Sequence, residues 1–366
     1  MIEGPIQTNN SGLVFYFDTK EPKSFIGKPT TNLLSNPTNE VIGTTSEFVQ
    51  YADLAPIFNT YGTSVTYSLS LDLKAKKAGS VYVYMQNGSW TKYSFVGQSV
   101  NADTVYKRFT FNGLTAAIST PTETQAILAF YGGYGSGIIA SIKNVQVEIS
   151  PAATPFVDGS RSNTQGLLDL TGNYTIDLTN AAYDNSSKIY LSGSKAIKIN
   201  SNSSLFSNAF TWSAWHYIIA DGGAGYAGIF WAEGAVAGGS GYQYLLSYRN
   251  LGSNAYAHYR INNATTGWGN TDTGTLTSSM LNKWIYTTWT FNNGTTKIYI
   301  NGVLSHTDTS RGAYNGGSDS PIYIGARNDL WGSINGYIDL VSYHNRTLTD
   351  AEILKNFNSQ RSRYSV

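Results

Sequence analysis

Apolar and polar positions alternate through most of this 366-residue chain. In "TYSLSLDLKAK", Tyr67, Leu69, Leu71 and Leu73 fall on one side and Ser68, Ser70, Asp72 and Lys74 on the other, which predicts a half-buried strand. "SVYVYMQNGSW" differs. Val81, Val83 and Met85 alternate with Tyr82 and Tyr84, so both faces are apolar or aromatic. "AILAFYGGYGSG" repeats this, with Ile127, Ala129 and Tyr131 against Leu128 and Phe130. Further strands are predicted in "FTWSAWHYIIA", "GYQYLLSYR", "NAYAHYRI", "KWIYTTWTF", "TKIYINGVL" and "SPIYIGA", separated by Gly- or Asn-containing turns as in a β-sandwich. One segment predicts a helix, "TLTDAEILKNFNSQ" near the C-terminus. Thr349 and Glu352 have capping-box spacing, and Ile353, Leu354 and Phe357 form an apolar stripe.

The periodicity lapses twice. "SPAATPFVDGSRSNTQG", Ser150 to Gly166, reads as a connector, and a second boundary falls near Lys28 and Pro29. The length suits about two domains. Charged residues make up only 13%, the net charge is +1, and there are 27 tyrosines and 37 glycines. That mixture fits an all-β protein rich in turns and gives no electrostatic reason to expect nucleic acid. No cysteine is present, which leaves no disulfide framework. The N-terminal "MIEGPIQTNN" does not read as a signal peptide, and no apolar run predicts membrane insertion.

The segments "LLDLTGNYTIDLTNAAY", "KIYLSGSKAIKI", "FTWSAWHY", "KWIYTTWTFNNGTTKIYINGVL", "IYIGARN" and "GSINGYIDLVSYHNRTLTDAEILKNFN" resemble the concanavalin A-like, laminin-G-like lectin domains found in bacteriophage structural proteins. In that family a strand like "GLVFYFDTKEPKSF" runs almost directly into "LLDLTGN". Here a long stretch separates them, which implies an inserted domain. The stretch itself, with "TNLLSNPTNE", "VYKRFTFNG" and "KNVQVEISPAATPFVDGSRS", resembles the jelly-roll, carbohydrate-binding-module-like domains of phage tail and appendage proteins. The expected fold is all-β: a concanavalin A-like sandwich from residues 1–28 plus 160–366, an inserted jelly-roll sandwich at 29–159, and one short C-terminal helix.

Glycoside hydrolysis needs two carboxylates flanking the scissile bond. From Gly166 onward the only glutamates are Glu233 and Glu352, and the Glu-x-Asp-x-Glu strand of enzymes with this architecture is missing. The expectation is therefore a protein that is not an enzyme. His216, His258, His306 and His344 are scattered without ligand spacing. The resemblance requires no cofactor but leaves structural calcium open, with Asp18, Asp169, Asp272, Asp319 and Asp329 as loop or strand-end oxygen donors.

Carbohydrate binding is the chemistry the residues favour, because sugars take an aromatic platform with nearby amides and carboxylates. The candidates are Tyr82, Tyr84, Trp90 and Tyr131 in the inserted domain and Trp231, Trp268, Tyr314 and Trp331 in the lectin domain. Trp212, Trp215, Trp284 and Trp289 sit within strand patterns and are assigned to packing. The resemblances imply a virion surface protein made in the host cytoplasm, a fibre, spike or capsid decoration. Its partners would be host-surface glycans, other virion proteins and further copies of itself. Two other readings stand beside this one: an architectural virion component whose aromatics meet neighbouring subunits, and a polysaccharide-degrading enzyme.

Overall fold

The computed structural model describes residues 10–86, 93–118, 125–200, 205–221, 225–236, 239–249, 251, 255–262, 270–272, 281–310, 312–314 and 320–366. The chain forms two compact units. One comprises Met1–Ile26, Asn163–Asp184 and Lys188–Val366, and the other Gly27–Ser162 with Asn185–Ser187.

The discontinuous unit is a sandwich of a six-stranded and a seven-stranded antiparallel sheet. Leu13–Asp18, the opening strand, lies at the edge of the six-stranded sheet. It pairs with Ile334–His344, setting Phe17 opposite Val341 and Asp18 opposite Leu340. The segment "LLDLTGN" secures it from the other side of the insertion. Leu170 N donates to Tyr16 O at 2.8 Å and Thr171 Oγ1 to Val14 O at 2.7 Å. Asp169 accepts from the backbone N–H groups of Tyr16, Thr171, Asn173 and Tyr174, so a single carboxylate shapes the turn and holds the strand. Phe15, Phe17, Trp212, Trp289 and Tyr343 are fully buried between the sheets. Trp212 Nε1 donates to Tyr244 Oη at 3.1 Å, and that hydroxyl donates to Leu205 O at 2.7 Å, so burial leaves neither polar tip without a partner.

The closing helix, Asp350–Gln360, has the expected capping box between Thr349 and Glu352. It covers the outer face of the six-stranded sheet, where Phe357 and Tyr364 stack on Trp215. Ile353 and Phe357 are buried. Leu354 is exposed, so the stripe is narrower than the sequence suggested.

The second unit packs two four-stranded sheets around Leu69, Leu71, Leu73, Val81, Val83, Leu128 and Phe130. Its two ends run side by side: Thr30–Thr31 pairs with Ser160–Arg161. In the other unit, Phe25 bridges Leu167 and Ile26 N donates to Gly166 O at 2.9 Å, closing the strand ends across the insertion.

Two features of this unit depart from the expectation. A short helix, Ala55–Tyr61, lies between strands, with Pro near its start and Gly62 (φ 84°) ending it. Ser68 and Ser70, on the expected solvent face, are buried beneath a polar layer. Arg108 Nη2 donates to Ser70 Oγ at 2.7 Å. Buried Glu148 accepts from Thr30, Ser68, Gln146 and Thr154, with Thr154 N at 2.6 Å. The closing motif "KNVQVEISPAATPF" thus folds back over its own sheet.

Candidate functional site

The alternation in Gly79–Gln86 and Ile127–Tyr131 sorts their side chains cleanly. Val81, Val83, Met85, Leu128 and Phe130 point into the core, which turns Tyr82, Tyr84 and Tyr131 outward on one face. The register then gathers them. Tyr82 stands opposite Tyr131, and Tyr84 opposite Ala129. Tyr82 and Tyr84 stack, with ring centroids 5.0 Å apart and planes at 21°. Gly97 makes room for this, since a Cβ there would stand 3.0 Å from Tyr82 Oη. Tyr82 is 41% exposed and Tyr131 is 38% exposed, high values for rings within a sheet.

Polar side chains border the rings on the paired strands. Ser99 pairs with Tyr82, Asn101 with Ser80, and Gln50 with Ala129, and all four polar residues are exposed. Burial raises the Tyr84 phenol above its ordinary value, and Tyr131 and Tyr82 add to the shift, so the Tyr84 hydroxyl stays neutral at physiological pH. The loop after Tyr131 adds a fourth ring. Tyr131 Oη accepts from Tyr134 N at 2.8 Å, and the Tyr134 side chain is 95% exposed. The sequence signal for it was "GGYGSG". Gly133, Gly135 and Gly137 all take positive φ, and the loop so formed carries Tyr134 at its tip.

In the discontinuous unit the candidates divide. Trp331 is 41% exposed and packs against Tyr226 (5.0 Å) and edge-on to Trp231 (6.3 Å). The Arg327 guanidinium lies 5.1 Å from the Trp331 ring centre and pairs with Asp329. Trp231, expected to reach solvent, is only 2% exposed. It sits within the strand Tyr226–Val236 rather than in a loop, and it supports Trp331 from below. Tyr314 packs against the core beside Phe206. Trp90 and Trp268 lie outside the described residues. Trp284, assigned to packing from its strand pattern, is only half-buried and lines a pocket of this unit.

Three of the carboxylates considered for calcium are engaged elsewhere. Asp18 is buried against Arg363, Asp169 organises its turn, and Asp329 pairs with Arg327. The Asp272 side chain and Asp319 lie outside the described residues. No group of three or more His, Asp or Glu residues converges among the described residues, so those present do not form a calcium cage. Glu352 is spent on Arg346 and the helix cap, and the Glu233 side chain lies outside the described residues.

Residues 191–354 match the family model described as the Concanavalin A-like lectin/glucanases superfamily, Laminin_G_3. The discontinuous unit therefore carries a concanavalin A-like domain, and the chain as a whole is built of β-sandwiches. Among solved structures, the receptor binding domain of botulinum neurotoxin D is similar at 19% identity and a TM-score of 0.40, over 55% of this chain and 51% of its own. The botulinum neurotoxin serotype G binding domain is similar at 17% identity and a TM-score of 0.40, over 54% and 49%. The chain spans about half the length of these toxin domains. Domain 4 of AbnA, a GH43 extracellular arabinanase from Geobacillus stearothermophilus solved with arabinotriose, is similar at 18% identity and a TM-score of 0.39, over 53% and 92%. A comparison with curated proteins finds no match.

Proposed function

We propose that the protein is a non-enzymatic glycan-binding protein that displays its sites on the surface of a virion and attaches it to a host envelope polysaccharide. The observation that carries this reading is the tyrosine face of the Gly27–Ser162 unit: Tyr82 and Tyr84 stacked, Tyr131 alongside, and a border of Ser and Asn side chains. Stacked rings match the C–H faces of a sugar, and the border groups exchange hydrogen bonds with its hydroxyls. A single such face binds weakly, and many copies on one particle raise the avidity. The non-enzymatic part rests on the carboxylates, since Glu352 is held in a cap and buried Asp339 is paired with Lys20.

The test is retention on a glycan array and on host envelope polysaccharide, using protein multimerised on beads. Wild type is expected to be retained. Tyr82→Ala and Tyr131→Ala are each expected to weaken binding by about tenfold, the scale of one stacking contact. No retention of the multimer on any polysaccharide would sink the reading. If the same variants instead abolish association with another virion protein, the architectural role replaces it.

A further inference from the structure

We propose that a pocket in the discontinuous unit is a second ligand site, one that takes an alkylammonium group such as that of an amino sugar or a choline headgroup. It holds about 720 Å³, within the range of small-molecule sites, and every residue lining it belongs to this unit. The proposal is independent of the tyrosine face.

Strand register builds its wall. Tyr217 stands opposite Trp284 on one neighbouring strand and opposite Tyr337 on the other. The three residues share one cross-strand row, and their rings close into a triangle, with centroids 5.6 Å apart for Tyr217–Trp284 and 6.4 Å for each of the other two pairs. Two carboxylates face the same space. Asp184 accepts from the Tyr337 hydroxyl at 3.3 Å and from Lys188 N at 3.0 Å. Asp339 is the extra residue of a β-bulge: Trp215 pairs with Leu340 and the next residue, His216, with Ile338.

The chain itself shows what this chemistry holds. The Lys20 ammonium lies 3.0 Å from Asp339 Oδ2, over the rings of Tyr364 (3.8 Å) and Trp284 (5.0 Å), and donates to Arg363 O. An ammonium set against a carboxylate and π-faces is thus already present at the inner end. Ring faces with Asp184 offer a second cation the same surroundings. Lys188 is the opposing charge. It is exposed, on a flexible stem that can carry its ammonium out to water. An anion would meet both carboxylates. Burial above all raises the Asp339 carboxyl, while the charge and hydrogen bond of Lys20 oppose that shift.

The experiment is a titration followed by tryptophan fluorescence and by chemical-shift change. The probes are choline, its uncharged isostere with carbon in place of nitrogen, glucosamine and glucose. Saturable binding of choline or of glucosamine is expected, each about tenfold or more tighter than its uncharged counterpart. Whichever cation binds better identifies the source. Asp184→Asn is near-isosteric and is expected to weaken binding about tenfold. Trp284→Ala, checked for folding by its thermal melt, should do the same. Tyr82→Ala should bind the cation like wild type, which separates failure here from failure of the glycan reading. Equal binding of charged and uncharged probes, no binding of either cation, or unchanged binding by Asp184→Asn would each overturn the proposal.

Discussion

His216 shows how much one buried ring can impose on a sandwich. It lies wholly inside the core, its Nε2 2.8 Å from Thr287 Oγ1 and its ring 5.5 Å from that of Tyr248. Nδ1 has no hydrogen-bond partner among the described residues, so a proton added there would have no acceptor. Burial lowers its pKa from 6.5 to about 3. The sign follows from linkage. Between those values the unfolded chain binds more protons than the folded one, so stability is full above pH 6.5 and falls as pH drops towards 3. At about pH 5 the loss relative to about pH 7 should be about 2 kcal/mol. Urea midpoints at the two values measure it, and His216→Gln should flatten the dependence. Unchanged slopes in that variant would assign the acid sensitivity to other groups.

At the scale of elements, the closing helix depends on its first turn. Thr349 accepts from Glu352 N, and Glu352 reaches back to Thr349 N at 2.8 Å while pairing with Arg346. That environment, led by the Arg346 hydrogen bond, lowers Glu352 from 4.5 to about 2. Its contribution is therefore present above pH 4.5 and lost as pH falls towards 2. Thr349→Ala should cost about 1 kcal/mol near neutral pH. Chemical denaturation of the variant measures this, and a cost below a few tenths would mean that tertiary packing alone holds the helix. The same capping residues were legible in "TLTDAE", because capping acts through residues three apart in sequence. The Ala55–Tyr61 helix was not, since seven residues carry too little periodicity to stand out from the strands around them.

At the scale of the whole molecule, the opening strand and the closing segment meet in the discontinuous unit. Arg363 makes a bidentate contact with buried Asp18, at 2.6 and 2.9 Å, and Lys20 donates to Arg363 O. Opening strand and closing segment are thus joined through a charge pair with little access to water. Removing the guanidinium leaves Asp18 buried beside Asp339. Arg363→Ala should therefore cost about 3 kcal/mol, read as a lower urea midpoint with unchanged slope. Asp18→Asn combined with Arg363→Ala should recover part of that loss. Failure to recover would mean that packing, rather than the stranded charge, sets the cost.

Local pattern determined the strands, the closing helix and its cap, because side-chain alternation and capping depend on neighbours within a few positions. It also determined that Tyr82, Tyr84 and Tyr131 lie opposite the core-facing residues of their own strands. Pairing register decided the rest. It stacked Tyr82 on Tyr84, set Tyr131 beside them, and aligned Tyr217, Trp284 and Tyr337 in a row. The burial of Trp231 and the partial exposure of Trp284 have the same origin. Whether an outward-facing ring meets water depends on what covers it, and the covering groups, Trp331 over one and a pocket beside the other, arrive from distant parts of the chain.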